Sequence, residues 1–307
     1  MKKPVTAFIW CLTLMLSQTY AQDFKQQFSG LVSKKDTVGQ LKLLQKWEES
    51  KSDDPELYVA YFNHYVMKSM TEQITLGNNP RGKEAFQLMN TDTTKKEHVA
   101  YLYGDTYYDT KLLNKAFDYI DKGIDKYPTR LDMRFGKIYM FGKVENYEDF
   151  TQEIMKTIDY SAVIKNKWTW TDNKPVDNPE KMMLGSIQDY VIQLYNTQND
   201  ALLDNMKRIA ETVLKYYPNH VESLSNLSIV YLLKKEYDKA LEPLLKAEKI
   251  DGKDFIVLSN IAQAYKLKGD YKKAIDYYKL TEMYGDDEAV EYAKGQIEEL
   301  NKKIKTN

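Results

Sequence analysis

The feature that most constrains this chain is an internal period. Residues 221–254 and 255–288 align without a gap at an offset of 34, and ten positions are identical. They include Leu224/Leu258, Ser225/Ser259, Asn226/Asn260, Tyr231/Tyr265, Leu233/Leu267, Lys234/Lys268, Tyr237/Tyr271, Lys239/Lys273 and Ala240/Ala274. Composition alone gives roughly two such matches. Apolar residues recur at three- and four-residue steps through Leu224, Leu227 and Tyr231, and again through Tyr237, Ala240, Leu241, Leu244 and Ala247. Each unit therefore reads as two helices. The break between them is Lys268-Gly269-Asp270 in the second copy, where glycine can take the left-handed conformation that ends a helix. Small residues at Ser228/Ala262 and Ala240/Ala274 let the two helices approach closely; a larger side chain there overpacks, at a cost of about 1–3 kcal/mol.

On these residues the chain resembles the tetratricopeptide repeat family, whose unit has small residues at positions 8, 20 and 27, aromatics near 11 and 24, and proline near 32. Ser228 and Ala262 match position 8, Ala240 and Ala274 position 20, and Ala247 and Thr281 position 27. Gly252 stands where the family has proline. The resemblance implies an all-α fold, a right-handed superhelical solenoid of helix hairpins with a C-terminal capping helix. Carried upstream, Pro218 as position 32 gives a degenerate unit at 187–220 with Met206 at position 20. Pro128 as position 32 gives a unit at 97–130, placing Tyr103, Gly104, Tyr107, Ala116, Ile120 and Gly123 at positions 7, 8, 11, 20, 24 and 27. From Leu131 a helix pair of irregular register follows, with Tyr139, Phe141, Tyr147 and Phe150. Asp54-Pro55-Glu56 reads as a helix start, an acidic N-cap with proline at the first helical position. After the repeats, Val290, Ala293, Ile297 and Leu300 mark a helix that would shield the end of the stack.

Lys2 and Lys3, the apolar run from Ala7 to Leu16 and Thr19-Tyr20-Ala21 form a secretory leader pattern, so residues 1–21 are expected to be removed and the protein to be periplasmic or secreted. The run is about half the length of a spanning helix, which argues against an integral membrane span. Loss of the leader removes two lysines and the only cysteine, leaving 42 basic against 45 acidic side chains, no disulfide and no thiol nucleophile. That balance argues against a nucleic-acid partner. The expected organisation is a degenerate helical array at 22–160, a Trp-containing insertion or linker at 161–181, repeats at 182–286, and a capping helix with tail at 287–307.

The insertion carries Trp168 and Trp170, whose spacing in an extended segment points both to one face. They would stack on a sugar ring or anchor a peptide if exposed; alternatively they tuck the loop onto the helices. The groove positions that the resemblance implies are His98, Tyr101, Asp105, Tyr108 and Asp109 in the unit at 97, then Glu222, Ser225, Ile229, Leu232 and Leu233, then Ile256, Ser259, Gln263, Lys266 and Leu267. The apolar members suit a partner helix or extended peptide; the rival reading is that neighbouring repeats or the cap cover them. Ser225 and Ser259 stand where a terminal-carboxylate clamp needs lysine. Only His64, His98 and His220 are present, without ligand spacing, so neither a metal nor another cofactor is expected. No phosphate loop, His-Glu-x-x-His helix or Gly-x-Ser-x-Gly elbow occurs. The expectation is a non-catalytic scaffold for a protein or peptide partner; the alternative is a glycan-capturing protein similar to helical outer-membrane nutrient binders, using exposed tryptophans.

Overall fold

The computed structural model describes residues 24–80, 84–90 and 98–306. The leader, residues 1–21, lies outside them. The fold is an all-α helical solenoid with a small sheet portion. The chain divides into two compact units, Met1–Lys137 with Thr169–Pro175, and Ile138–Trp168 with Val176–Asn307.

The first unit begins with α1 (24–33) and α2 (Thr37–Lys51). Helix α3 (Pro55–Ser69) starts as its sequence requires: the Asp54 carboxylate accepts from the Glu56 amide at 3.0 Å, and Pro55 fills the first helical position, where no amide donor is needed. Trp47 is buried, stacks on Phe24, and donates its indole N–H to Asp54 at 3.1 Å. Then the chain leaves the helical plan. Strands β1 (Met70–Gly77), β2 (Ala85–Met89) and β3 (His98–Tyr108) form an antiparallel sheet in the order β1-β3-β2. Helix α4 (Thr110–Lys126) follows and packs against α3.

The expected first helix of the unit at 97–130 is therefore β3. Its sequence alternates Val99, Tyr101, Tyr103 and Tyr107 with smaller or polar residues, and β-branched and aromatic side chains favour a pleated strand once partners exist. Tyrosines at 103 and 107 satisfy a spacing of four and a spacing of two alike, and cross-strand hydrogen bonds decide between them. The second half of that unit is correct. Ala116, Ile120 and Gly123 of α4 are buried, and a Cβ on Gly123 would lie 2.9 Å from the Tyr58 Cβ and 3.0 Å from the Met133 sulfur. Its partner is α3, with the sheet inserted between them. The Asp109 amide donates to the Ser69 carbonyl at 2.8 Å, so the insert leaves beside the point where it enters.

Helix α5 (Leu131–Lys143) crosses the division at 137/138. In the second unit, the rest of α5 is followed by α6 (Tyr147–Val163), α7 (Pro179–Asn196), α8 (Leu203–Tyr216), α9 (Val221–Leu233), α10 (Tyr237–Ile250), α11 (Phe255–Lys268) and α12 (Tyr271–Tyr284). The two aligned copies are α9–α10 and α11–α12, as the period requires. Ser228, Ala240, Ala247, Ala262, Ala274 and Thr281 are fully buried. Thr281 fits its narrow position because its hydroxyl donates to the Tyr277 carbonyl at 3.1 Å. At 150 the family's small residue is replaced by a fully buried Phe150, and the space is recovered opposite, where a Cβ on Gly142 would lie 3.1 Å from that ring. Helix α13 (Asp287–Thr306) covers the end, burying Ala293 and Leu300 against Ala262, Ala274, Ile275 and Tyr278.

A common turn recurs through both units. In four turns one residue is left-handed, and the next amide bonds the carbonyl five residues earlier: Asp36 to Leu31, Asn146 to Phe141, Glu236 to Tyr231 and Asp270 to Tyr265, at 2.8–3.0 Å. This six-residue closure pairs carbonyls that a helix end leaves open.

The stretch expected as a linker at 161–181 is shorter, because α6 extends to Val163 and α7 starts at Pro179. Its parts belong to different units. Trp168, in the second, is 2% exposed, donates its indole N–H to Ser161 at 2.8 Å and lies against Tyr160. Trp170, in the first, is half-buried and meets Phe135 edge-on. The pair of exposed tryptophans that the glycan reading requires is absent, since an indole with a buried donor packs where that donor finds an acceptor.

Candidate partner-binding face

In the second unit, α7 touches α9 and α9 touches α11, so the first helices of successive hairpins form one row. Asn226 and Gln188 join two of them through reciprocal amide hydrogen bonds of 2.6 and 3.4 Å, which satisfies a buried and a half-buried polar group at the seam. In this row Ile229 is half-buried, Leu232 packs against the core cluster that includes Leu224 and Leu241, and Leu233 is 46% and Leu267 41% exposed. Ile192 at 44% and Tyr195 at 50% continue it on α7, and Ile256 at 57% opens it on α11. Large apolar side chains this open on adjacent helices make this a candidate interaction surface.

Sequence reasoning named Ile229, Leu232, Leu233, Ile256 and Leu267 but missed Ile192 and Tyr195. Counting back 34 residues from the aligned copies misplaces α7, because residues 197–202 form a longer connection and a 3-10 turn, Asp200–Leu202, before α8. The remaining expected groove residues divide. Ser225 is buried, Ser259 is half-buried, and Gln263 accepts from the Tyr278 hydroxyl at 2.9 Å. Lys266 donates to Gln296 and, at 2.9 Å, to Glu299 of α13, so the cap engages it as the rival reading had it. Hydrogen bonds from Lys303 and Lys266 hold the Glu299 carboxyl at about 2, well below the usual carboxylate range. His98, Tyr101, Asp105 and Tyr108 lie on β3, and Asp109 is the N-cap of α4, accepting from the Leu112 amide at 2.8 Å. A strand sends alternate residues to opposite faces, so Tyr101 and Asp105 share one face of the sheet and Tyr108 takes the other, and none belongs to a helical groove.

One arrangement has the outline of a nucleophilic site. His220 Nδ1 faces the Ser223 hydroxyl at 2.9 Å, and its Nε2 faces a Glu222 carboxylate oxygen at 3.2 Å. Ser223 is 3% exposed, so a substrate carbonyl cannot reach it, and the three residues cluster only because they open α9. Burial lowers the His220 pKa, with Glu222 opposing. Among the described residues no group of three or more His, Cys, Asp or Glu side chains could hold a metal, and no helix is long and apolar enough to cross a membrane.

The first unit holds a constellation that the sequence did not reveal. Arg130 is fully buried and makes a two-pronged contact with Asp132 at 2.7 and 2.8 Å and an ion pair with Glu56 at 2.8 Å. Glu56 also accepts the backbone amide of Asp172 at 2.8 Å, and Lys25 pairs with Asp172 at 2.9 Å. That bond from Lys25 holds the Asp172 carboxyl below its usual range. Every charged atom facing inward has a counterpart, which makes the cluster a clasp for residues 169–175.

Residues 257–280 match the family model described as tetratricopeptide repeat. No curated protein matches the chain. Among solved structures, the chain is similar to the Sgt2 TPR domain from Aspergillus fumigatus, with 22% identity over 38% of this chain and 79% of that one, TM-score 0.34. It is also similar to PilF of Pseudomonas aeruginosa, with 15% identity over 63% and 83%, TM-score 0.37. A tetratricopeptide repeat protein from Parabacteroides merdae shows 11% identity over 91% and 98%, TM-score 0.34.

Proposed function

We propose that this chain, a tetratricopeptide-repeat protein, is a non-catalytic scaffold that takes an amphipathic helix or extended peptide along α7, α9 and α11. The observation that carries this reading is the exposure of Ile192, Tyr195, Leu233 and Leu267 near the C-terminal ends of three helices in one row, with Ile256 exposed at the start of α11. A partner with apolar residues at three- and four-residue steps, or alternate ones in an extended segment, would cover such a row. The leader pattern at 1–21 adds that the protein works outside the cytoplasm, so the mature protein is expected to start at Gln22.

The test is crosslinking and capture from the exported fraction, comparing the unaltered protein with Leu233→Asp and Tyr195→Asp. A partner recovered with the unaltered protein and reduced at least about tenfold with both variants, at equal circular dichroism, supports the reading. Equal recovery with the variants overturns it.

A further inference from the structure

The sheet of the first unit has one face of unusual character. Because directly paired residues of neighbouring strands project to the same side, Leu76, Leu102 and Phe86 form one row, Ile74 pairs with Gly104, and Leu88 pairs with Ala100. The opposite side carries threonine, glutamine and tyrosine. The apolar side is open: Ile74 is 75% exposed, Leu76 62%, Phe86 78% and Leu88 41%. With Met70 at 39% and half-buried Leu102 on the same side, they leave on the order of 600 Å² of apolar surface uncovered, the upper end for the largest patch on a protein that works alone. We infer that this face packs on the same face of a second copy of the chain, forming a two-sheet sandwich dimer.

Three observations select a second copy over another occupant. Two such patches brought together remove ~1,200 Å² from water, the lower bound of specific protein interfaces. The face is also its own complement, since Phe86 projects from one edge strand while a Cβ on Gly104, in the central strand, would meet nothing within 4 Å. A two-fold axis would seat each Phe86 in the hollow over the other copy's glycine. Finally, a peptide added at an edge strand gains its bonds from that edge and leaves Leu102 and the hollow uncovered, whereas sheet-on-sheet packing about 10 Å apart covers all three strands. Within the paired strands the charge on this face is Glu72, beside Thr106, toward the end where the sheet joins the helices, and exposed Glu84 stands just before β2.

Sedimentation velocity on the full chain, from about 1 to 100 µM, tests the proposal. A monomer-to-dimer shift is expected, with Phe86→Glu remaining monomeric over that range at unchanged helix content. Gly104→Val provides the second variant: its backbone is not left-handed, valine favours a strand, and the added methyls fill the hollow. It should weaken association at least about tenfold while the sheet stays folded. A monomer throughout for the unaltered chain, or a dimer that neither variant weakens, overturns the inference. If Phe86→Glu misfolds, Gly104→Val decides alone.

Discussion

Two hairpins of this molecule solve the same packing problem with very different connections. In α11–α12 the turn is Gly269-Asp270, and Ala274 and Thr281 line the narrow positions of the second helix. In α3–α4 the connection carries the strands Met70–Gly77, Ala85–Met89 and His98–Tyr108, yet Ala116 and Gly123 occupy the same two positions and are buried in the same way. What defines the hairpin is the pair of small residues on its second helix and the meeting of the connection's ends. Because loop-closure entropy grows only slowly with length, a long insert whose ends are joined by a hydrogen bond costs the hairpin little. The two also differ in what holds them. The C-terminal hairpins rest on close apolar contact, whereas Glu56, at the start of α3, is fastened to the buried Arg130.

That contrast can be broken where the forces differ most. Arg130→Met should have the largest effect, about 3–5 kcal/mol, because Glu56 and Asp132 would keep their burial and lose their counter-charge. Chemical denaturation would measure it, and a loss under about 1 kcal/mol would contradict the clasp. Ala274→Leu and Gly123→Leu should each cost about 1–3 kcal/mol by overpacking. If only the first destabilises the fold in thermal unfolding, the equivalence of the two hairpins fails. Acidification provides a smaller, one-sided probe. Burial, aided by Lys68, lowers the pKa of fully buried His64, so the unfolded chain takes up the proton first. Its contribution is complete above about pH 6.5 and declines as pH falls below that. His64→Leu should flatten the stability profile below about pH 6.5, measured by denaturation midpoints. Glu299 gives the smallest effect. Its depressed pKa makes the α13 contact present above about pH 4.5 and lost as pH falls toward about 2, and Glu299→Gln should remove that dependence in circular dichroism of the acid transition.

The C-terminal repeats were legible because a gapless period aligns residue types one by one, and with them came half of the candidate face. The sheet was not, since tyrosines at 101, 103 and 107 satisfy strand and helix spacing together, and only the pairing partners at 70–77 and 85–89 separate the two. Arg130 could not be read either. Its partners at 56, 132 and 172 are distant in sequence, and a lone arginine after a proline carries no periodic mark. Ile192 and Tyr195 were lost to a register shift of a few residues, introduced by the longer connection before α8.

The recurring left-handed turn has a practical corollary. Gly269 adopts it freely at φ 88°, but Lys35, Glu145 and Lys235 hold φ at 55–60° with a side chain attached. A left-handed residue other than glycine bears about 1–2 kcal/mol of steric penalty, partly offset by the greater freedom glycine loses on folding. Glycine at these three places would therefore harden the array in small, separable steps, one hairpin at a time, without touching a helix face that a partner could use.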